Sequence, residues 1–196
     1  MEACRAKIFK ARVQIIERMF KKLNFMTGSA LKILCALASD PMRAFYQREV
    51  AKEAEVSVGS ANRTLRVLVE NELVTKERRG KISLYRFNTE SSVARQMKIL
   101  FNVSELDELV RVLKKHSKRI ILFGSCAEGS DVKDSDIDLF VLTNEKGAVR
   151  RIIDSYETSR KIAPIVADAN DSAKMRSEDK PLYDSILRGI RLWETE

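Results

Sequence analysis

Histidine and cysteine are scarce in this chain, and their scarcity removes much of enzyme chemistry at the outset. Among 196 residues there is one histidine, His116, and there are three cysteines, Cys4, Cys35 and Cys126. A single imidazole leaves a Ser–His or Cys–His catalytic pair little to draw on. The cysteines lie far apart and show no CxxC spacing, which argues against a zinc site and fits a reducing cytoplasm. No run of about 18 apolar residues occurs, so no membrane span is expected. Charges interrupt every apolar stretch of the N-terminal MEACRAKIFKARVQIIERMFKK, so a signal peptide is not expected either. The expected location is the cytoplasm. Low-complexity segments and internal repeats are also missing. What remains is the composition of a folded chain of one or two domains, 44% hydrophobic with three prolines and seven glycines.

Charge is distributed unevenly. Residues 1–92 hold 18 Lys and Arg against 10 Asp and Glu, a net of +8, whereas residues 93–196 hold 18 of each. The whole basic excess belongs to the first half, which suggests a polyanionic partner there, although a merely solvated basic surface has the same composition.

In that half, Ile8, Val13, Ile16, Met19, Phe20 and Leu23 recur at helical spacing. Thr27 or Ser29 is placed to cap a second helix through Leu31, Leu34, Cys35 and Ala38, stopped by Asp40-Pro41. A short helix over 47–54 follows. Ser57 then caps a helix running to about Asn71, with Ala61, Leu65, Leu68 and Val69 inward and Ser60, Asn62, Arg63 and Arg66 outward. Leu73 to Glu77 and Ile82 to Phe87 read as strands joined at Arg78-Arg79-Gly80-Lys81. From Arg48 to Phe87 this order resembles winged helix-turn-helix transcription regulators. The resemblance implies duplex DNA as partner, with the helix from Ser57 in the major groove. Asn62, Arg63 and Arg66 would then lie near bases or phosphates, and Arg78, Arg79 and Lys81 near the backbone or minor groove. Winged helices also serve as protein-docking modules. Such regulators are commonly dimers, and the long first helix offers a face for a homodimer.

The second half opens with a polar, loop-like Asn88 to Ser92 and an apolar Met97 to Phe101, read as a junction over 93–103 on which one domain docks against the other. Ser104 begins a helix through Leu113 with acids in its first turn. Arg119 to Phe123 is a short buried strand, Gly124-Ser125 turns out of it, and Ser135 to Thr143 is the next strand. That strand carries Asp136 and Asp138 in an otherwise apolar run. Strand side chains alternate, so the two carboxylates share one face. Side by side they repel, and a divalent cation removes the conflict. Mg²⁺ takes one or two carboxylates with waters and substrate phosphates, while Gly124-Ser125 offers bare backbone and a hydroxyl for phosphate oxygens.

Hydrophobic strand, Gly-Ser, and Asp-x-Asp on a second strand about a dozen residues on resemble the DNA polymerase β-type nucleotidyltransferase superfamily, in its minimal branch. The resemblance spans residues 104–196, including a final helix and strand from Pro181 to Trp193. It implies transfer of a nucleoside monophosphate from an NTP, with ATP the expected donor and Mg²⁺ on Asp136 and Asp138, to a hydroxyl that a protein side chain could supply. Two departures stand out. Glu128 occupies a position where many members have a basic residue. The third carboxylate that active members often supply from the next strand has only Asp168, at the end of KIAPIVAD, or more weakly Asp171, as candidates.

The expected architecture is α+β: a winged helix-turn-helix domain over 1–92, the junction, and a nucleotidyltransferase domain over 104–196 with a small mixed sheet. Two rival functions share these residues. One is a regulator that senses nucleotide without catalysis. The other is a template-independent nucleic-acid nucleotidyltransferase, for which no thumb-like helical domain follows the catalytic strands.

Overall fold

A computed structural model describes residues 26–195, and the helix expected over 8–23 lies outside them. The chain divides into two compact units, 1–88 and 89–196.

In the first unit, α1 (Gly28–Ser39) is capped by Thr27, whose hydroxyl accepts from the Ala30 N–H at 3.3 Å. After β1 (Phe45–Tyr46) and α2 (Gln47–Glu53), Ser57 accepts from the Ser60 N–H at 3.2 Å and starts α3 (Val58–Glu70). Ile33, Leu34 and Leu37 of α1, Val50 of α2, and Ala61, Leu65 and Leu68 of α3 are fully buried. β2 (Val74–Arg79) and β3 (Ile82–Phe87) form an antiparallel hairpin, and β1 pairs with the outer edge of β3. Arg79 still pairs with Ile82, so the turn is only Gly80-Lys81, and Gly80 has the positive φ of 61° such a tight reversal needs. Helix, helix, helix and wing are those of a winged helix-turn-helix. The two-residue β1 has no sequence signature, because it is too short to show alternation.

The second unit begins with α4 (Ser92–Glu105), capped by Ser91. The expected junction over 93–103 is therefore not a linker but part of a helix of this unit. Ser104 lies in its last turn rather than capping a new one, and α5 (Asp107–Leu113) starts after the bend at Leu106. There follow β4 (Arg119–Phe123), α6 (Gly124–Glu128), β5 (Ile137–Leu142), α7 (Lys146–Asp154), β6 (Ile162–Ala167), α8 (Ala169–Glu178), α9 (Lys180–Arg188) and β7 (Ile190–Glu194). The sheet order is β6-β5-β4-β7, with β5 and β6 parallel and the other pairs antiparallel. This is the small mixed sheet the sequence implies. Its two faces bury different sets. Ile120, Leu122, Ile137, Leu139, Val141 and Val166 pack with Leu109 and Leu113 of α5 and Val149 and Ile153 of α7. Ile121, Phe123, Phe140 and Ala167 pack on the other side with Ile186 of α9 and Met175 of α8. No described helix is long and apolar enough to cross a membrane.

Candidate functional site

β5 carries the two acids to one end of the sheet. Asp138 lies opposite Phe123, the last residue of β4, and Asp136 just precedes the strand. Alternation puts both on the Phe140 face, so neither enters the apolar cluster around Ile137 and Leu139. Both are half-buried. Burial, with the neighbouring Asp136 charge second, pushes the Asp138 carboxyl above its ordinary range. Directly after Phe123 the chain turns into α6 at Gly124, whose φ is +66°. A Cβ there would collide with the Asp138 carboxylate, so both the turn and the close approach require glycine. Ser125, half-buried, follows in the first turn of α6, and Glu128 ends that helix exposed to solvent.

A polar network holds the loop between α6 and Asp136. Asp131 in that loop is 4% exposed, and Lys98 of α4 is 2% exposed. The Lys98 ammonium donates to the Asp131 carbonyl and sits 3.5 Å from its carboxylate. Arg160 donates to the same carboxylate at 2.8 Å and also pairs with Glu105. The Asn102 amide donates to Asp131 and to the Cys126 carbonyl, both at 2.9 Å. Two cations meet two carboxylates, so the buried charge is balanced. Burial, partly offset by Asp131, lowers the Lys98 pKa, and burial pushes the Cys126 thiol up to about 11. The network therefore ties α4 and Arg160 to Asp131 and to the Cys126 carbonyl, where the segment that presents Asp136 leaves α6. Nothing in the sequence singled it out. Lys98 reads as the one polar residue of an apolar run, and its partner lies 33 positions away.

Asp168 does not join the pair. In the parallel register Asp138 faces Ala163, and Leu142 faces Ala167. Asp168 is thus five residues beyond the partner of Asp138, about 16 Å along the strand. By alternation it also belongs to the Val166 face, opposite to that of Asp138. Its work is local: it caps α8, accepting from the Asp171 N–H at 2.9 Å, while Asp171 accepts from the Asp168 N–H at 3.1 Å. Lys146 Nζ is 2.7 Å from the Asp168 carboxylate and also bonds Asp171. These contacts, Lys146 first, hold both carboxyls below their ordinary range. Asp168 and the weaker candidate Asp171 are therefore withdrawn from the site. Among the described residues no group of three or more His, Cys, Asp or Glu is placed to hold a metal ion. Two carboxylates on one face, with a glycine cleared against one of them, do suit a single Mg²⁺ that keeps waters and substrate oxygens.

On the first unit, Arg63 and Arg66 of α3 are exposed, and Asn62 and Ser60 are half-buried. The Ser60 hydroxyl is engaged with that of Ser29 at 3.3 Å. Arg78 and Arg79 lie within β2 and point to opposite faces, and Arg79 donates to Glu77 at 2.8 Å. Lys81 is exposed in the turn.

The two units thus define a winged helix-turn-helix followed by a small mixed-sheet α/β domain with an acid pair beside a Gly-Ser turn. Residues 107–196 match the family model described as polymerase beta, nucleotidyltransferase. Among solved structures, the chain is similar to the transcriptional repressor BigR from Xylella fastidiosa, with 21% identity over 50% of this chain and 91% of that one and a TM-score of 0.39. It is also similar to the homodimeric winged helix-turn-helix DNA-binding domain Mb0332 from Mycobacterium bovis, with 25% identity over 52% of this chain and 88% of that one and a TM-score of 0.39. A predicted DNA-binding transcriptional regulator from E. coli gives 20% identity over 50% of this chain and 97% of that one, again at 0.39. No curated protein matches.

Proposed function

We propose that the chain couples duplex DNA binding to the handling of a nucleoside triphosphate, and that its second unit transfers the nucleoside monophosphate of that nucleotide, ATP being the expected donor, to a hydroxyl acceptor. The observation that carries this reading is the pair Asp136 and Asp138, on one sheet face against Gly124, in a region matching the nucleotidyltransferase family. These two carboxylates would hold Mg²⁺. A bound Mg²⁺ supplies neutralisation of charge on the reacting phosphate. The chain's own contribution is positional. Gly124 leaves no side chain between the start of α6 and Asp138, Ser125 offers a hydroxyl beside it, and the Lys98–Asp131–Arg160 network fixes the loop that presents Asp136.

A second reading, a regulator that senses nucleotide without transfer, is favoured by one observation. The strand next to the acid pair supplies Ala163 beside Asp138 and Lys161 beside Asp136, so no third carboxylate is there to activate an acceptor. Incubation of the full chain with α-labelled ATP and Mg²⁺, with and without cell extract, separates the readings. Labelled protein supports transfer to a side-chain hydroxyl, and retention without transfer supports the sensor. Extension of added DNA or RNA supports the template-independent polymerase instead.

For the first unit, the net charge of +8 in residues 1–92 and the exposed Arg63, Arg66, Arg78 and Lys81 support DNA binding. Fluorescence anisotropy on labelled duplex should show affinity falling steeply with salt as counterions are released. Arg78→Ala should weaken binding at every sequence, and Asn62→Ala or Arg63→Ala should change preference between sequences. Salt-independent binding, or none, would instead mark a protein-docking winged helix.

A further inference from the structure

The residues of β6 beside the acid pair define how many cations that pair can hold. β6 runs parallel to β5, and the Ile137 N–H donates to the Lys161 carbonyl at 2.8 Å. That bond fixes Lys161 alongside Asp136, whatever its side chain does. Ile137 pairs with Ile162 and Asp138 with Ala163, so Lys161 and Ala163 share the face of the two acids. A carboxylate bridging a second ion from this strand would have to stand at one of these two positions. Ala163 has nothing to offer. Lys161 places its ammonium 3.4 Å from the Asp136 carboxylate, with its side chain 77% exposed and extending into solvent. The preceding residue, Arg160, is locked to Asp131 and Glu105, so the backbone leading into Lys161 is held.

We propose that Lys161 makes this a one-cation site, its ammonium standing where a two-ion site would have carboxylate and serving as a ligand for the nucleotide polyphosphate. The inference deepens the nucleotide-handling reading and rests on it. Its physical basis is charge. A two-ion centre places its cations roughly 3.5–4 Å apart between shared oxygens, and an ammonium beside Asp136 repels a second divalent ion there. The same ammonium attracts an anion once Asp136 turns to its own cation. Mg²⁺ with two carboxylates and phosphate oxygens needs no third acid, and a lysine is a common point-charge partner of phosphate.

The test uses the full chain with Mn²⁺ as spectroscopic probe and a non-hydrolysable ATP analogue, read by electron paramagnetic resonance for bound Mn²⁺ and by calorimetry for the nucleotide. Wild type should bind one Mn²⁺ per chain with the nucleotide present. Lys161→Ala should weaken nucleotide affinity at least about tenfold, the loss of one charged hydrogen bond, while Mn²⁺ alone binds as well or better. Lys161→Arg should retain most of the affinity, and Lys161→Glu should admit a second Mn²⁺ and lose nucleotide. Two Mn²⁺ per wild-type chain, or unchanged nucleotide affinity in Lys161→Ala, overturns the proposal while leaving nucleotide handling intact. Wild type that binds no nucleotide with Mn²⁺ overturns both. Lys161 is exposed, so its substitution does not endanger folding.

Discussion

The second unit holds two pairs of aspartates at opposite ends of β5 and β6, and they differ in what surrounds them. Asp168 and Asp171 are satisfied: they cap α8, bond each other's backbone N–H groups and share Lys146. Asp136 and Asp138 have one exposed lysine between them, at 3.4 Å from Asp136, and Asp138 is pushed upward by burial and by its neighbour. The carboxyls of the first pair are held down and that of Asp138 is held up. An acid that the fold has already neutralised is architecture; one it leaves in want of a cation is the better candidate for a site.

The largest effect on stability should come from the network beneath the unsatisfied pair. Lys98→Met leaves Asp131 buried with half its positive partners, and breaking a buried pair costs roughly 3–5 kcal/mol. Thermal denaturation should show a fall in Tm larger than for any substitution at Asp168. If Tm stays unchanged, the network does not hold the loop.

Asp138→Asn should do the reverse. A carboxyl whose folded pKa lies above its unfolded value destabilises the fold once pH rises through both, so the penalty is fully present at neutral pH and absent in acid. Without added metal, Asp138→Asn should raise Tm at pH 7 and leave it unchanged at pH 3. Asp168→Ala should lower Tm at pH 7, and that loss should shrink as pH falls through the depressed pKa of Asp168. Equal behaviour of the two variants would erase the distinction between the pairs.

A smaller effect sharpens it further. Carboxyl carbon titration by NMR should place Asp138 above, and Asp168 and Asp171 below, the ordinary aspartate range, and Asp136→Asn should bring Asp138 partway down. An Asp138 that titrates with the capping acids would remove the electrostatic case for the site.

How much of this was legible beforehand follows from which forces are local. Strand alternation put Asp136 and Asp138 on one face, and Gly-Ser after a buried strand marked the turn, because both depend on neighbours in sequence. The Ser57 cap was legible for the same reason, and the cap of α1 was narrowed to Thr27 or Ser29, of which Thr27 makes the bond. Asp168 was misplaced because its position depends on the register and direction of β6 against β5. No local pattern encodes either, and only the parallel pairing puts it a full strand away. The apolar run Met97 to Phe101 showed neither its helix nor its role, since it reads as a junction and Lys98 and Asn102 acquire their partners from a loop some 30 residues on. The hairpin was legible except for its tip, where the ladder continues through Arg79 and shortens the turn.

The most direct measurement is calorimetric titration of Mn²⁺ and a non-hydrolysable ATP analogue into three full-length proteins: wild type, Asp136→Asn with Asp138→Asn, and Asp168→Asn with Asp171→Asn. Asparagine caps a helix nearly as well as aspartate, so the last variant keeps α8. A metal site built on Asp136 and Asp138 predicts that metal-dependent nucleotide binding disappears in the first double variant and stays at the wild-type level in the second. Binding that survives without Asp136 and Asp138, or that is lost with Asp168 and Asp171, would contradict it.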